Sequence, residues 1–138
     1  SKRIQKFVDG GICKVFNKNT EIGLKKIFDG VVDLIKKYTP NIIVLESPFY
    51  GKNTKTLIRL GEARGVILLA SAITSTPVCQ LSPKEAKLAL TGNGNAQKDQ
   101  VAYMVKSILA IEKDFCLDTT DAAAIAVAYL HRLNMIQM

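Results

Sequence analysis

Histidine is nearly absent from this chain, which carries one, His131, in 138 residues. A zinc centre built on imidazole ligands is thereby disfavoured. Cysteine is sparse too. Cys13, Cys79 and Cys116 are odd in number, far apart and outside any C-x-x-C arrangement. That argues against a disulfide framework and for reduced cysteines in a cytosolic core. Long apolar runs are lacking: none approaches a membrane span, and no basic stretch with an apolar block and cleavage site opens the chain. The expectation is a soluble, cytoplasmic protein with no membrane partner. Acidic residues are the minority charge, 12 Asp and Glu against 19 Lys and Arg, for a net charge of +7. An excess of that sign favours an anionic partner, nucleic acid first and an acidic membrane surface second. Repeats, linkers and low-complexity tracts are also missing. What is present is enough for one core: 138 residues and 15.1 kDa, 48% of them hydrophobic, fit a single domain spanning residues 1–138.

Read for periodicity, residues 3–16 predict a hairpin, with Arg3–Val8 and Ile12–Phe16 flanking an Asp9-Gly10-Gly11 turn. Thr20 can cap a helix whose apolar positions run from Leu24 to Tyr38, and Pro40 lies just beyond its end. Asn41 to Glu46 then reads as a strand buried on both faces, of the kind found inside a parallel sheet. A second helix is expected from about Thr54 to Ile73. Its latter half is apolar almost all round, so it needs burial on two sides, and Gly61 and Gly65 would let another backbone approach closely. A subunit interface could supply the second side. Pro77–Leu81 reads as a short strand, and Ser82-Pro83-Lys84-Glu85 as a capping box opening a short helix that ends near Gly92. The glycine-rich loop 91–95 looks too flexible to bury much, and it leads into a helix with Val101, Met104, Val105, Ile108 and Leu109 inward. An alanine-rich helix, Ala122 to about Leu133, closes the chain. This order gives a mixed sheet with helices on both faces, a three-layer α/β domain.

Glu46 ends its predicted strand where open α/β sheets bind ligands, and a carboxylate there needs a cation or donor to offset desolvation. Asp118 and Asp121 stand three apart at a helix start, so their carboxylates share a face. Two readings fit that pair. As N-cap and N3 residues they would only close the helix end. Converging with Glu46, they would form an oxygen-only cluster that repels itself unless divalent cations lie between its members, and such ligands select Mg2+ or Mn2+. Two ions there would activate water and stabilise the leaving oxygen of a phosphodiester.

Five segments, Glu46 to Asn53, Leu60 to Val66, Lys87 ahead of Gly92-Asn93-Gly94, Lys98 to Val101, and Asp118-Thr119-Thr120-Asp121 to Ala126, together resemble the RuvC family of bacterial Holliday-junction resolvases. The match spans nearly the whole chain, in the family's order and spacing. The resemblance implies a ribonuclease-H-like α/β/α domain with a mixed five-stranded sheet, a homodimer, and paired symmetric nicking of four-way junction DNA in recombination and repair. It also implies Mg2+, two per site with Mn2+ as a substitute, no organic cofactor, and RuvA and RuvB as partners. By the same resemblance Glu46, Asp118 and Asp121 hold metal, and Lys87 and Lys98 stand near the scissile phosphate, where an ammonium offsets developing charge. Phe49 matches an aromatic that packs on a base near the junction centre. Tyr50, Lys52 and Lys84 are further candidates for DNA contact.

The chain departs from the family pattern at its start. The family opens with a strand ending in a catalytic aspartate, in an Asp-Pro-Gly or similar context, and that first strand is missing here. The expectation is that an upstream segment supplies it, since a sheet lacking a central strand leaves backbone donors and acceptors unpaired. Asp9, at the predicted turn, is not its replacement. Two alternatives remain open at this point: a junction-binding module without catalysis, and another ribonuclease-H-like nuclease, acting on RNA–DNA hybrids.

Overall fold

The computed structural model describes residues 5–15, 19–47, 53–112 and 116–136. In chain order these form α1 (Thr20–Tyr38), β1 (Ile43–Glu46), α2 (Thr54–Ile73), β2 (Val78–Leu81), α3 (Pro83–Thr91), α4 (Lys98–Leu109) and α5 (Leu117–Ile136). The protein is α/β. β1 and β2 make a two-stranded sheet. Ile43 N–H donates to the Pro77 carbonyl (2.9 Å) and Ser47 N–H to that of Leu81 (2.8 Å). Both bonds step the same way along the two strands, so the pair is parallel, and the connection between parallel strands must be a long crossover, here the segment that contains α2. Where a strand buried on both faces was expected, Ile43, Val44 and Leu45 are half-buried and Glu46 is exposed.

Residues 5–15 hold no strand, so the predicted hairpin does not form among the described residues. An isolated two-stranded ribbon is marginal in water, and each flank here takes other neighbours instead. At the predicted turn Asp9 Oδ1 accepts from Gly10 N–H at 2.8 Å, and no turn is formed there. Gly10 and Gly11 then meet Thr119, whereas Val15 lies against Gly23 of α1 and the Cys13 sulfur reaches the Lys26 carbonyl at 4.0 Å.

The described residues fall into two compact units, one drawn from 1–12, 44–47 and 80–138, the other from 13–43 and 48–79. In the second, α1 packs on α2. Asn53 caps α2 by accepting from Thr56 N–H at 2.9 Å, and Ala70 is fully buried, yet Ile58, Leu60, Leu68, Leu69 and Ile73 of the same helix stay exposed. A Cβ on Gly61 or Gly65 would meet nothing within 4 Å.

In the first unit α3 and α4 pack on α5 and on each other. Leu81, Ala86, Leu90, Ala96, Val101, Val105, Ala124, Ile125, Val127 and Ala128 form its core. Fully burying residues such as Leu81 or Val105 contributes about 1.5–3 kcal/mol each, and the alanines of α5 keep the helices close. α3 starts with the predicted capping box: Ser82 Oγ accepts from Glu85 N–H (3.0 Å), and Glu85 Oε2 accepts from Ser82 N–H (3.4 Å). The same Glu85 oxygen meets Arg132 of α5 at 3.4 Å. Cys13 and Cys116 are exposed and Cys79 is half-buried, so the cysteines are free thiols but not the core residues expected. No described helix is long and apolar enough to cross a membrane.

Candidate active site

Each acidic candidate sits at the end of an element. Glu46 is the last residue of β1, exposed at the strand's carboxyl end. α5 begins one residue before Asp118, at Leu117. Cys116 therefore holds the flanking position: its carbonyl accepts from Thr120 N–H (3.2 Å) and from Thr120 Oγ1 (3.3 Å). Asp118 is thus not the N-cap that the pure capping reading requires. It lies inside the first turn, exposed, with Asp121 half-buried on the same face and Thr120 buried between them. Both carboxylates stand where the positive end of the helix dipole favours negative charge.

The lysines come from the neighbouring helices. Lys98, the first residue of α4, brings Nζ to 3.6 Å from Asp121 Oδ2. Lys87 is half-buried in α3, its carbonyl accepting from Thr91 Oγ1 at 2.6 Å. That hydroxyl also ties the loop that follows by accepting from Asn93 N–H (3.1 Å), while Asn93 Oδ1 accepts from Asn95 N–H (2.9 Å). Gly92 takes the left-handed conformation with φ 74°, as a helix C-cap requires. The loop expected to be slack is laced by these bonds, although, as expected, none of residues 91–95 is buried. Lys84 is exposed, its stem lying across Gly94, where a Cβ would be 3.3 Å from Lys84 Cγ. Phe49, Tyr50 and Lys52 lie outside the described residues.

One contact at this site has no signal in the sequence pattern. Thr119, between the two aspartates, donates from Oγ1 to the Gly11 carbonyl at 3.5 Å, and its hydroxyl stands 3.4 Å from the Cys116 sulfur. The Thr119 hydroxyl beside it holds the Cys116 thiol below the usual cysteine range. His131 is half-buried near the far end of α5.

The donor set is all oxygen, which suits a hard cation. Among the described residues no three His, Cys, Asp or Glu side chains gather into a group able to hold a metal ion. Three carboxylates brought together without a cation would repel one another. Mg2+ needs fewer, being commonly held by one or two carboxylates with water and substrate phosphate completing its shell, so the Asp118 and Asp121 turn fits that ion by donor chemistry and number.

The α/β fold is ribonuclease-H-like, and solved structures share it. The chain superposes on the Thermus thermophilus RuvC structure with a TM-score of 0.79 at 27% identity, covering 86% of this chain and 72% of that one. On T. thermophilus RuvC in complex with Holliday junction substrate the TM-score is 0.88 at 26% identity, covering 94% and 80%. The family model described as crossover junction endodeoxyribonuclease RuvC matches residues 1–129. The chain belongs to the RuvC family. The Brachyspira hyodysenteriae crossover junction endodeoxyribonuclease RuvC is 43% identical over 130 residues, 92% of this chain and 79% of that protein. The Salinibacter ruber and Christiangramia forsetii proteins of the same name are 44% and 43% identical, and the matches span 62% and 60% of their lengths.

Proposed function

We propose that the protein is a structure-specific DNA endonuclease that resolves four-way junctions by paired, symmetric nicks, in the service of recombination and repair. The observation that carries this reading is the approach of Lys98 Nζ to Asp121 Oδ2 at 3.6 Å, joining α4 to the acidic turn of α5. A carboxylate pair able to hold a cation and an ammonium able to meet a phosphate are what hydrolysis of a phosphodiester needs side by side. Family membership and the likeness to a RuvC solved with junction DNA support the choice of substrate.

In this reading Asp118, Asp121 and Glu46 hold Mg2+, two ions per site, with Mn2+ as a substitute. The bound metal supplies Lewis-acid activation of water and charge stabilisation at the leaving oxygen. Lys98 and Lys87 set positive charge beside the phosphate, where it counts most as negative charge grows. Lys84, Lys52, Phe49 and Tyr50 contact the DNA, the aromatics by stacking on unpaired bases. The active form is a homodimer in the cytoplasm, with RuvA and RuvB as partners.

A synthetic four-way junction tests the reading directly. With Mg2+ the wild type should give paired nicks, and Glu46→Gln and Asp118→Asn should each slow cleavage about 100-fold, or ~2.7 kcal/mol in the barrier. Tight junction binding that ignores Mg2+ and yields no nicks would replace the enzyme with a binding module.

A further inference from the structure

We propose that Thr119 is a positioning residue, a steric clamp that fixes the acidic turn of α5 against Gly10. The inference rests on the metal-holding role assigned above to Asp118 and Asp121.

α5 starts without a strong local cap. Asp, Ser, Thr and Asn are the side chains that hold a helix N-terminus, and the flanking residue here is Cys116, whose thiol is a weak hydrogen-bonding group. The Cys116 sulfur accepts from the backbone N–H groups of Asp118 and Thr119, a weak thiol cap that tertiary contact supplements in the turn carrying both aspartates. Thr119 makes that contact across more than a hundred residues of sequence. A Cβ at Gly10 would lie 2.9 Å from Thr119 Cγ2 and 3.0 Å from Phe7 Cζ, closer than carbon atoms pack. The Thr119 methyl is thus seated on a bare backbone with no spare room. The 3.5 Å bond from Thr119 Oγ1 to the Gly11 carbonyl is long, so packing rather than hydrogen bonding sets the position. Gly10 is outside the left-handed region, because Gly92 is the only described glycine with positive φ. Its backbone would accept alanine, and space alone forbids it. Gly11 supplies the control, since a Cβ there meets nothing within 4 Å.

The clamp matters because Thr119 sits between the two carboxylates. A methyl added at Gly10 strikes the Thr119 methyl, and in this proposal the first turn, with Asp118 and Asp121, shifts to relieve the clash rather than the Thr119 side chain alone. Displacing an outer support of a metal site costs typically about 10–100-fold in metal affinity or activity.

The experiment measures Mn2+ binding by electron paramagnetic resonance and Mg2+-dependent junction cleavage on the full chain for four proteins: wild type, Gly10→Ala, Gly11→Ala, and Gly10→Ala combined with Thr119→Ser. Gly10→Ala should weaken Mn2+ binding about tenfold and raise the Mg2+ needed for half-maximal cleavage by a similar factor, with KM for the junction unchanged. Gly11→Ala should match the wild type. The double variant, which removes the methyl that the new Cβ strikes, should recover most of the lost affinity. Gly10→Ala with a lowered melting temperature but wild-type Mn2+ affinity would overturn the clamp and leave Gly10 a merely structural residue. Failure of the double variant to recover would do the same. A wild type that neither binds Mn2+ nor nicks the junction would bring down the site assignment itself, and the clamp with it, a result distinct from loss in Gly10→Ala alone.

Discussion

Lys98 and Asp121 form an ion pair in which the lysine is largely in water and the aspartate half-buried, 68% and 38% exposed. Exposed pairs of this kind contribute about 0–1 kcal/mol, so the contact does little for the fold. It has a consequence of opposite sign for metal and for chemistry. Without Lys98 no ammonium competes for the Asp121 oxygen, and a cation should bind there more tightly, by no more than about fivefold for 1 kcal/mol. In the proposed reading the same change removes positive charge from beside the phosphate, where loss of one such group costs about 100–1,000-fold in rate. Lys98→Met should therefore lower the Mg2+ concentration for half-maximal cleavage while cutting the maximal rate. Single-turnover cleavage across a Mg2+ titration reads both quantities. A parallel fall in rate and metal affinity would show that Lys98 helps to build the metal site instead of facing the phosphate.

At the scale of elements, α3 depends on its cap more than the longer helices do, because it spans 9 residues and its first turn is held by the reciprocal Ser82 and Glu85 bonds. Ser82→Ala should cost about 1 kcal/mol, a fall in melting temperature of roughly 4 °C for a chain of this size, measurable by circular dichroism. A shift under about 1 °C would mean that packing on α5 alone secures the helix. This box was legible in four letters, as were the limits of α2, because both rest on local chemistry: a side-chain oxygen, a proline, a run of apolar residues. The start of α5 was not. Local preference names Asp118 as the cap, and the helix instead begins two residues earlier than that implies, at Leu117 behind Cys116. The hairpin failed similarly: alternation and a Gly-Gly turn describe how two strands could pair, but not that Gly10 is taken up by Thr119 and Val15 by α1. The loop 91–95 looked slack because glycine and asparagine are permissive, while the Thr91 hydroxyl that laces it gives no pattern of its own. For the site, the residue types and the order in which the chain presents them were readable, and the Lys98 to Asp121 pairing agrees with them. The support behind the aspartates was hidden, since Thr119 reaches a partner no local rule could point to.

On the scale of the whole molecule, the paired nicking proposed above requires two active sites, and α2 offers a surface for joining two copies. Ile58, Leu69 and Ile73 recur at helical spacing with Gly65 on one stripe, and all three apolar side chains are more than half exposed. Beside them a Cβ on Gly65 would find open space, so a second backbone could come close. Burying the exposed half of three such side chains on each copy recovers roughly half of the ~1.5–3 kcal/mol that full burial contributes per side chain, a favourable term set against the costs of association. A charge placed on the stripe would have to be desolvated without a partner. Under the proposed homodimer, Leu69→Glu should therefore sediment as a monomer at micromolar concentration while the wild type sediments as a dimer, with the circular dichroism spectrum little changed because Leu69 is 54% exposed in its own chain. On a four-way junction the variant should give single, unpaired nicks. Were it to remain dimeric by sedimentation, the two copies would have to meet through another surface, and the exposed apolar stripe of α2 would need a different partner.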